Sequence, residues 1–299
     1  VAHPPTGAGS GWASDLLVRL ANRLAPENRF VSLPSDVAFE RPPADPLWGW
    51  GRPRHAVFQA MFEARAQDYR RVLDLVDSFA ADLAEVDRGH RPDLEPCWDN
   101  PMFSGLDAAS LYSFLRDRNP RRYVEIGSGY STKFAARAKR DGGLRTEIVS
   151  IDPDPRADID RICDRLVRAT LETTDQTPLR ALEPGDIVLL DGSHRLVMGN
   201  HLALLFGELI PEFPPGVLVG VHDIYLPDDY APAHKSSHWN EQYLLAAALL
   251  FGRERCEVTF PCHYVASTSP LQEELDARWS ANGLRGLNAW GCVLWFTLS

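Results

Sequence analysis

Between Trp12 and Leu24 the apolar positions Leu16, Leu17, Leu20 and Leu24 recur every three or four residues, which predicts a helix over 12–25. A proline-rich connector, Arg41 to Gly51, breaks that pattern, since ring-locked φ angles and missing N–H donors suit no regular element. Helical spacing resumes from 54 to 88, carried by Phe58, Met61, Phe62, Tyr69, Val72, Leu73, Leu75 and Val76, and reads as one long helix. A further helical segment, Asp107 to Arg118, leads into the first strand. The first hundred-odd residues therefore read as a helical cap.

From 121 onward the period changes. Short apolar runs near 121–127, 146–152, 166–171, 186–192, 216–222, 257–265 and 291–298 predict strands, with helices near 131–141, 157–165, 176–182, 196–210 and 239–251. Such alternation predicts a parallel α/β sheet. The final run, Gly291 to Ser299, is strongly strand-forming, and no crossover helix is evident after Arg278, so this strand is expected to return antiparallel. The expected fold is a Rossmann-like α/β sheet of seven strands, mostly parallel with the last antiparallel, plus an N-terminal helical cap. The expected division is 1–106 for extension and cap and 107–299 for the ligand-binding domain.

Composition narrows the function classes. The 299 residues suffice for one large domain with an extension. A net charge of −10 without any Lys/Arg run argues against a nucleic-acid partner. Cys97, Cys163, Cys256, Cys262 and Cys292 are scattered and form no CxxC pair, which argues against a disulfide framework or a zinc cluster and points to a cytoplasmic protein. There is no apolar run of about 18 residues and no signal-peptide pattern, so no membrane partner is expected. The opening Val1 to Gly11 reads as a flexible end, and the helical segment after it as a possible homodimer surface or simple packing on the core.

The most informative motif is Tyr123-Val124-Glu125-Ile126-Gly127-Ser128-Gly129-Tyr130-Ser131-Thr132. An apolar strand enters a tight glycine turn, and the helix starting near Ser131 aims its unpaired N–H groups over that turn. Asp152 ends the second strand, where an acid in doubly wound folds accepts from ribose hydroxyls; capping of the next turn is its plainer role. The spacing Gly-x-Gly-x-x-Thr lacks the third glycine of a dinucleotide fingerprint, which disfavours NAD.

These passages, with Ile151-Asp152-Pro153, Leu190-Asp191-Gly192-Ser193-His194, Val221-His222-Asp223-Ile224 and Trp239-Asn240-Glu241-Gln242-Tyr243, resemble the class I S-adenosylmethionine-dependent methyltransferases, in a bacterial small-molecule branch, over roughly residues 100–299. The resemblance implies that Glu125, Gly127, Ser128, Gly129 and Ser131 hold the methionine end of the cofactor. It also implies that Asp152 binds its ribose, that the turn containing Glu172 borders the adenine, and that Asp191 belongs to the cofactor site. The tips of the fourth and fifth strands would bring Asp191 and His194 toward His222 and Asp223. Two chemistries suit that cluster. One is a divalent metal such as magnesium on Asp191, Asp223 and His222; the other is proton removal by His194 or His222 beside Asp223. The histidine at 222, where relatives often have a carboxylate, shifts the donor set toward a transition metal. The expected activity is methyl transfer to a small molecule, most simply at a hydroxyl; a metal-dependent hydroxylase and a non-catalytic binding protein are the alternatives. The segment 226–239, long and proline-broken, is expected to act as a lid or binding loop.

Overall fold

The computed structural model describes residues 45–89, 94–235 and 237–299. The helix expected over 12–25 and the start of the proline-rich connector lie outside the described residues.

The seven apolar runs become one sheet: β1 (Arg122–Ile126), β2 (Glu147–Ile151), β3 (Arg165–Val167), β4 (Ile187–Leu190), β5 (Leu218–Val221), β6 (Cys256–Pro261) and β7 (Leu294–Leu298), in the order β3-β2-β1-β4-β5-β7-β6. β1 to β5 run parallel to one another, while β7 is antiparallel to both β5 and β6. Every residue of β4 and β5 is buried, as expected where helices cover both faces. Within β5, a Cβ on Gly220 would lie 2.5 Å from the Trp295 ring of β7; the glycine makes room for that indole. From β1 the chain winds outward to β3 and returns beyond β1 to β4. That reversal opens a crevice at the carboxyl ends of β1 and β4, where ligands bind in such sheets.

The helical region expected as one long element is three: α1 (Ala56–Glu63), α2 (Ala66–Ser78) and α3 (Ala80–Ala84). Arg65 and Phe79, with φ near −110° and ψ near +10°, mark the breaks. Each break turns the apolar stripe back toward the core, so that Phe58 and Phe62, then Tyr69, Leu73 and Val76, then Leu83 are all buried. α4 (Gly105–Arg118) is buried along most of its length. Its Asp107 accepts hydrogen bonds from the backbone N–H of Cys292 (2.8 Å) and Val293 (2.7 Å), tying the helix before β1 to the entry of β7.

α5 (Tyr130–Gly142) follows the glycine turn and α6 (Thr177–Arg180) precedes β4. The helix expected over 157–165 is absent. Asp158 and Asp160 flank a fully buried Ile159 in turns, and aspartate offers the backbone alternatives to a helix. The helix expected from 196 begins only at α7 (His201–Leu204), capped by Asn200, and passes through a π-helical turn, Leu205–Leu209, into α8 (Ile210–Glu212). α9 (Glu241–Phe251) matches expectation. β6 stops at Pro261, four residues early, and two unanticipated helices follow, α10 (Cys262–Ser267) and α11 (Leu271–Ala281). α11 is joined to α2 by Arg70–Glu274 and Arg278–Asp74 ion pairs, both 2.7 Å. Among the described residues no helix is long and apolar enough to cross a membrane.

Candidate active site

Gly127 leaves β1 at φ +83°, and a Cβ there would fall 1.8 Å from the Asp191 carbonyl oxygen, so only glycine fits. The turn is tied to β2 through Asp152, whose two carboxylate oxygens accept from the N–H of Ser128 (2.6 Å) and of Asp154 (2.8 Å). Asp152 thus shapes the loop while facing the crevice. Ser128, Gly129, Ser131, Asp152 and Asp191 all line one cleft of about 640 Å³, within the ~300–1,000 Å³ usual for small-molecule sites.

In the same cleft the tips of β4 and β5 converge. His194, at φ +57°, sends Nε2 to 3.5 Å from Asp191 Oδ1 and 3.3 Å from Asp223 Oδ2, and its Nδ1 lies 3.0 Å from Glu241 Oε2. His222 Nδ1 forms an ion pair with Asp191 Oδ1 at 3.3 Å, and its Nε2 points the other way, 3.6 Å from Asp107 and 3.5 Å from Cys292 Sγ. Phe103 packs on the His222 ring and Trp239 on the His194 ring. Two imidazoles and several carboxylates therefore crowd together at the strand tips. Burial pushes Asp191 up, but His222, His194 and Arg156 outweigh it and hold Asp191 at about 2. Burial pushes both histidines down, and their neighbours more than reverse this: His194 is raised, chiefly by Glu241, and His222 is raised well above its ordinary value by Cys292, Asp191, Asp223 and Asp107.

Residues 124–224 match a family model described as a methyltransferase domain. That segment begins in β1 and ends just beyond β5, so it contains the glycine turn, Asp152 and both converging strand tips. About a third of the chain, holding the whole of the cleft's glycine turn and both strand tips, is thus methyltransferase-like.

No curated protein matches the chain. Among solved structures the chain is similar to a methyltransferase from Podospora anserina bound to S-adenosylhomocysteine (21% identity, 54% of this chain and 76% of that one, TM-score 0.39). It is also similar to a Bacillus cereus O-methyltransferase in complex with the same compound (15%, 81% and 96%, TM-score 0.39). A third is an O-methyltransferase of tomaymycin synthesis from Streptomyces achromogenes in complex with S-adenosylmethionine (18%, 75% and 88%, TM-score 0.37). Identities and scores this low do not bear on the acceptor.

Of the residues expected to hold the cofactor, Glu125, Gly127 and Glu172 do not line the cleft, Gly127 shaping the turn itself. Glu125 is fully buried beneath the turn and does not line the cleft; its carboxylate accepts from the hydroxyls of Tyr123, Ser131 and Thr132. Burial raises its pKa to about 7, with those hydrogen bonds pulling the other way. Glu172 is exposed and also outside the cleft lining. Of the expected metal set, His222 Nδ1 lies 3.3 Å from Asp191 Oδ1 and 3.7 Å from Asp223 Oδ2; the ligand atoms of Asp191, His194 and Asp223 also lie within 4.8 Å of one another, and those of Asp107, His222 and Cys292 form a second such group. The expected lid is half packed down: Leu226 to Tyr230 are buried, held by Gln242, whose N–H donates to the Tyr230 hydroxyl at 2.8 Å. Its far end reaches the cleft through His234, Ser237 and Trp239, with His234 stacked on Trp239 at 4.4 Å. Glu241 escaped the sequence reading because an acid opening a helix is adequately explained by the helix dipole.

Proposed function

We propose that this enzyme transfers the methyl group of S-adenosylmethionine to a hydroxyl of a small molecule, with His194 as the general base. One juxtaposition carries the reading: His194 Nε2 faces Asp191 and Asp223 inside the cleft onto which the glycine turn and Asp152 open. The adenosyl end would rest on Ser128, Gly129, Ser131 and Asp152. The sulfonium would lie toward Asp191 and Asp223, where a cation relieves their mutual repulsion. An acceptor hydroxyl held in line attacks the methyl carbon while the carbon–sulfur electron pair returns to sulfur, and the hydroxyl proton passes to His194 Nε2. A sulfonium beside His194 disfavours a second positive charge there and so favours the neutral, proton-accepting imidazole. His222, enclosed by Asp191, Asp223 and Asp107, stays cationic and keeps Asp191 ionised.

A second reading has a specific observation behind it. One ligand atom each from Asp191, His194 and Asp223 lie within 4.8 Å of one another, close enough to hold a single divalent ion. Two carboxylate oxygens and an imidazole suit manganese, zinc or ferrous iron better than magnesium, and such an ion would acidify an acceptor hydroxyl. The two roles exclude each other, since a coordinated Nε2 has no lone pair left for a proton.

Calorimetry with S-adenosylhomocysteine tests the cofactor site: saturable binding to the wild type is expected, and its absence overturns the reading. With an acceptor found by screening for S-adenosylhomocysteine release, His194→Ala should keep cofactor affinity and lose about 10²–10⁴-fold in turnover. Turnover that survives exhaustive chelation supports the base; turnover that disappears and returns with manganese supports the ion.

A further inference from the structure

We infer that Glu241 is a positioning residue that fixes the tautomer of His194, an inference resting on the reading of His194 as the group that faces the acceptor. A carboxylate in the first turn of a helix ordinarily stands in water, where the dipole favours it. Glu241 is instead 1% exposed, and burying a carboxylate is costly unless a partner compensates it. Its partner is His194: Oε2 lies 3.0 Å from Nδ1, while the buried Oε1 has no hydrogen-bond partner. The Nδ1 contact is of hydrogen-bond length whereas Nε2 stands 3.5 and 3.3 Å from Asp191 and Asp223, so in the neutral ring the hydrogen sits on Nδ1, pointing at a carboxylate that accepts it, and Nε2 keeps the lone pair.

The backbone reinforces this arrangement. The His194 carbonyl accepts from the N–H of Asn240 (2.9 Å) and of Glu241 (3.3 Å), and the Leu196 N–H donates to Asn240 Oδ1 at 2.5 Å. His194 holds a left-handed backbone that a residue with a Cβ adopts only where its surroundings enforce it. Trp239 closes one face of the ring at 4.8 Å. The loop after β4 and the start of α9 therefore act as one jig around the imidazole. A residue needed only to begin α9 would not require a buried carboxylate aimed at a ring nitrogen.

Histidine-selective ¹⁵N NMR tests this directly, with the His194 signals identified by their loss in His194→Ala. In the wild type, above the titration of the ring, the proton is expected on Nδ1. In Glu241→Leu the fixed preference should disappear, and turnover should fall about 10²-fold while S-adenosylhomocysteine affinity stays within about twofold. Glu241→Asp, which keeps a carboxylate, should recover part of the loss. A wild-type His194 protonated on Nε2 overturns the proposal even if no variant folds. An Nδ1 proton combined with full turnover in His194→Ala would instead sink the base reading and leave the positioning intact.

Discussion

Glu125 shows what a single residue beneath a ligand site can do to stability. Its folded-state pKa, raised to about 7 by burial, lies above the ordinary carboxylate value. The folded protein therefore binds a proton more readily than the unfolded chain between about pH 4.5 and 7, and stability falls as pH rises through that window. Glu125→Gln mimics the protonated form. Its melting temperature relative to wild type, measured without cofactor, should climb from about pH 4.5 to 7 and level off above, the ionisation difference amounting to about 3 kcal/mol. A difference that does not change with pH would show that Glu125 is not neutralised by burial. The neighbouring Gly127→Ala should cost about 2 kcal/mol or more in chemical denaturation, since it adds both positive-φ strain and a collision with the Asp191 carbonyl. Gly127 and Asp152 could be read from the sequence because strand ends and glycine turns are local signals. Which ring nitrogen of His194 or His222 meets which acid depends on packing between residues tens of positions apart, and no spacing encodes that.

At the level of elements, Asp107 is the clearest case of a long-range tie. Asp107→Ala would strand the buried N–H groups of Cys292 and Val293, each costing about 1–3 kcal/mol when left unpartnered. Urea unfolding should show a combined loss of about 2–5 kcal/mol, and a loss under 1 kcal/mol would mean that the strand entry repacks freely. The strands were legible because central parallel strands are unbroken apolar runs. The helices were less so. α11 carries Leu271, Leu275 and Trp279 at helical spacing, all buried, yet no helix was expected there. The break between α1 and α2 has no proline or glycine to announce it; packing against the sheet decides it.

Across the whole molecule, the reversal of strand order between β1 and β4 sets where chemistry can occur, and the antiparallel β7 completes the sheet beyond β5. A ligand that binds the folded crevice alone stabilises the fold by mass action, about 2.7 kcal/mol at a hundredfold excess over Kd. S-adenosylhomocysteine at that excess should raise the melting temperature by about 5 °C, as differential scanning fluorimetry would show. No shift at saturating concentration would mean that the folded protein does not bind the nucleoside. The strand order also has a kinetic consequence. β7 lies between β5 and β6 although both are synthesised before it. Until residues 294–298 leave the ribosome, two strands expose bare N–H and C=O edges, one of them beside the tip that carries His222 and Asp223. A nascent chain stalled in that gap is a template for intermolecular pairing, and β7 is the strand that closes both edges.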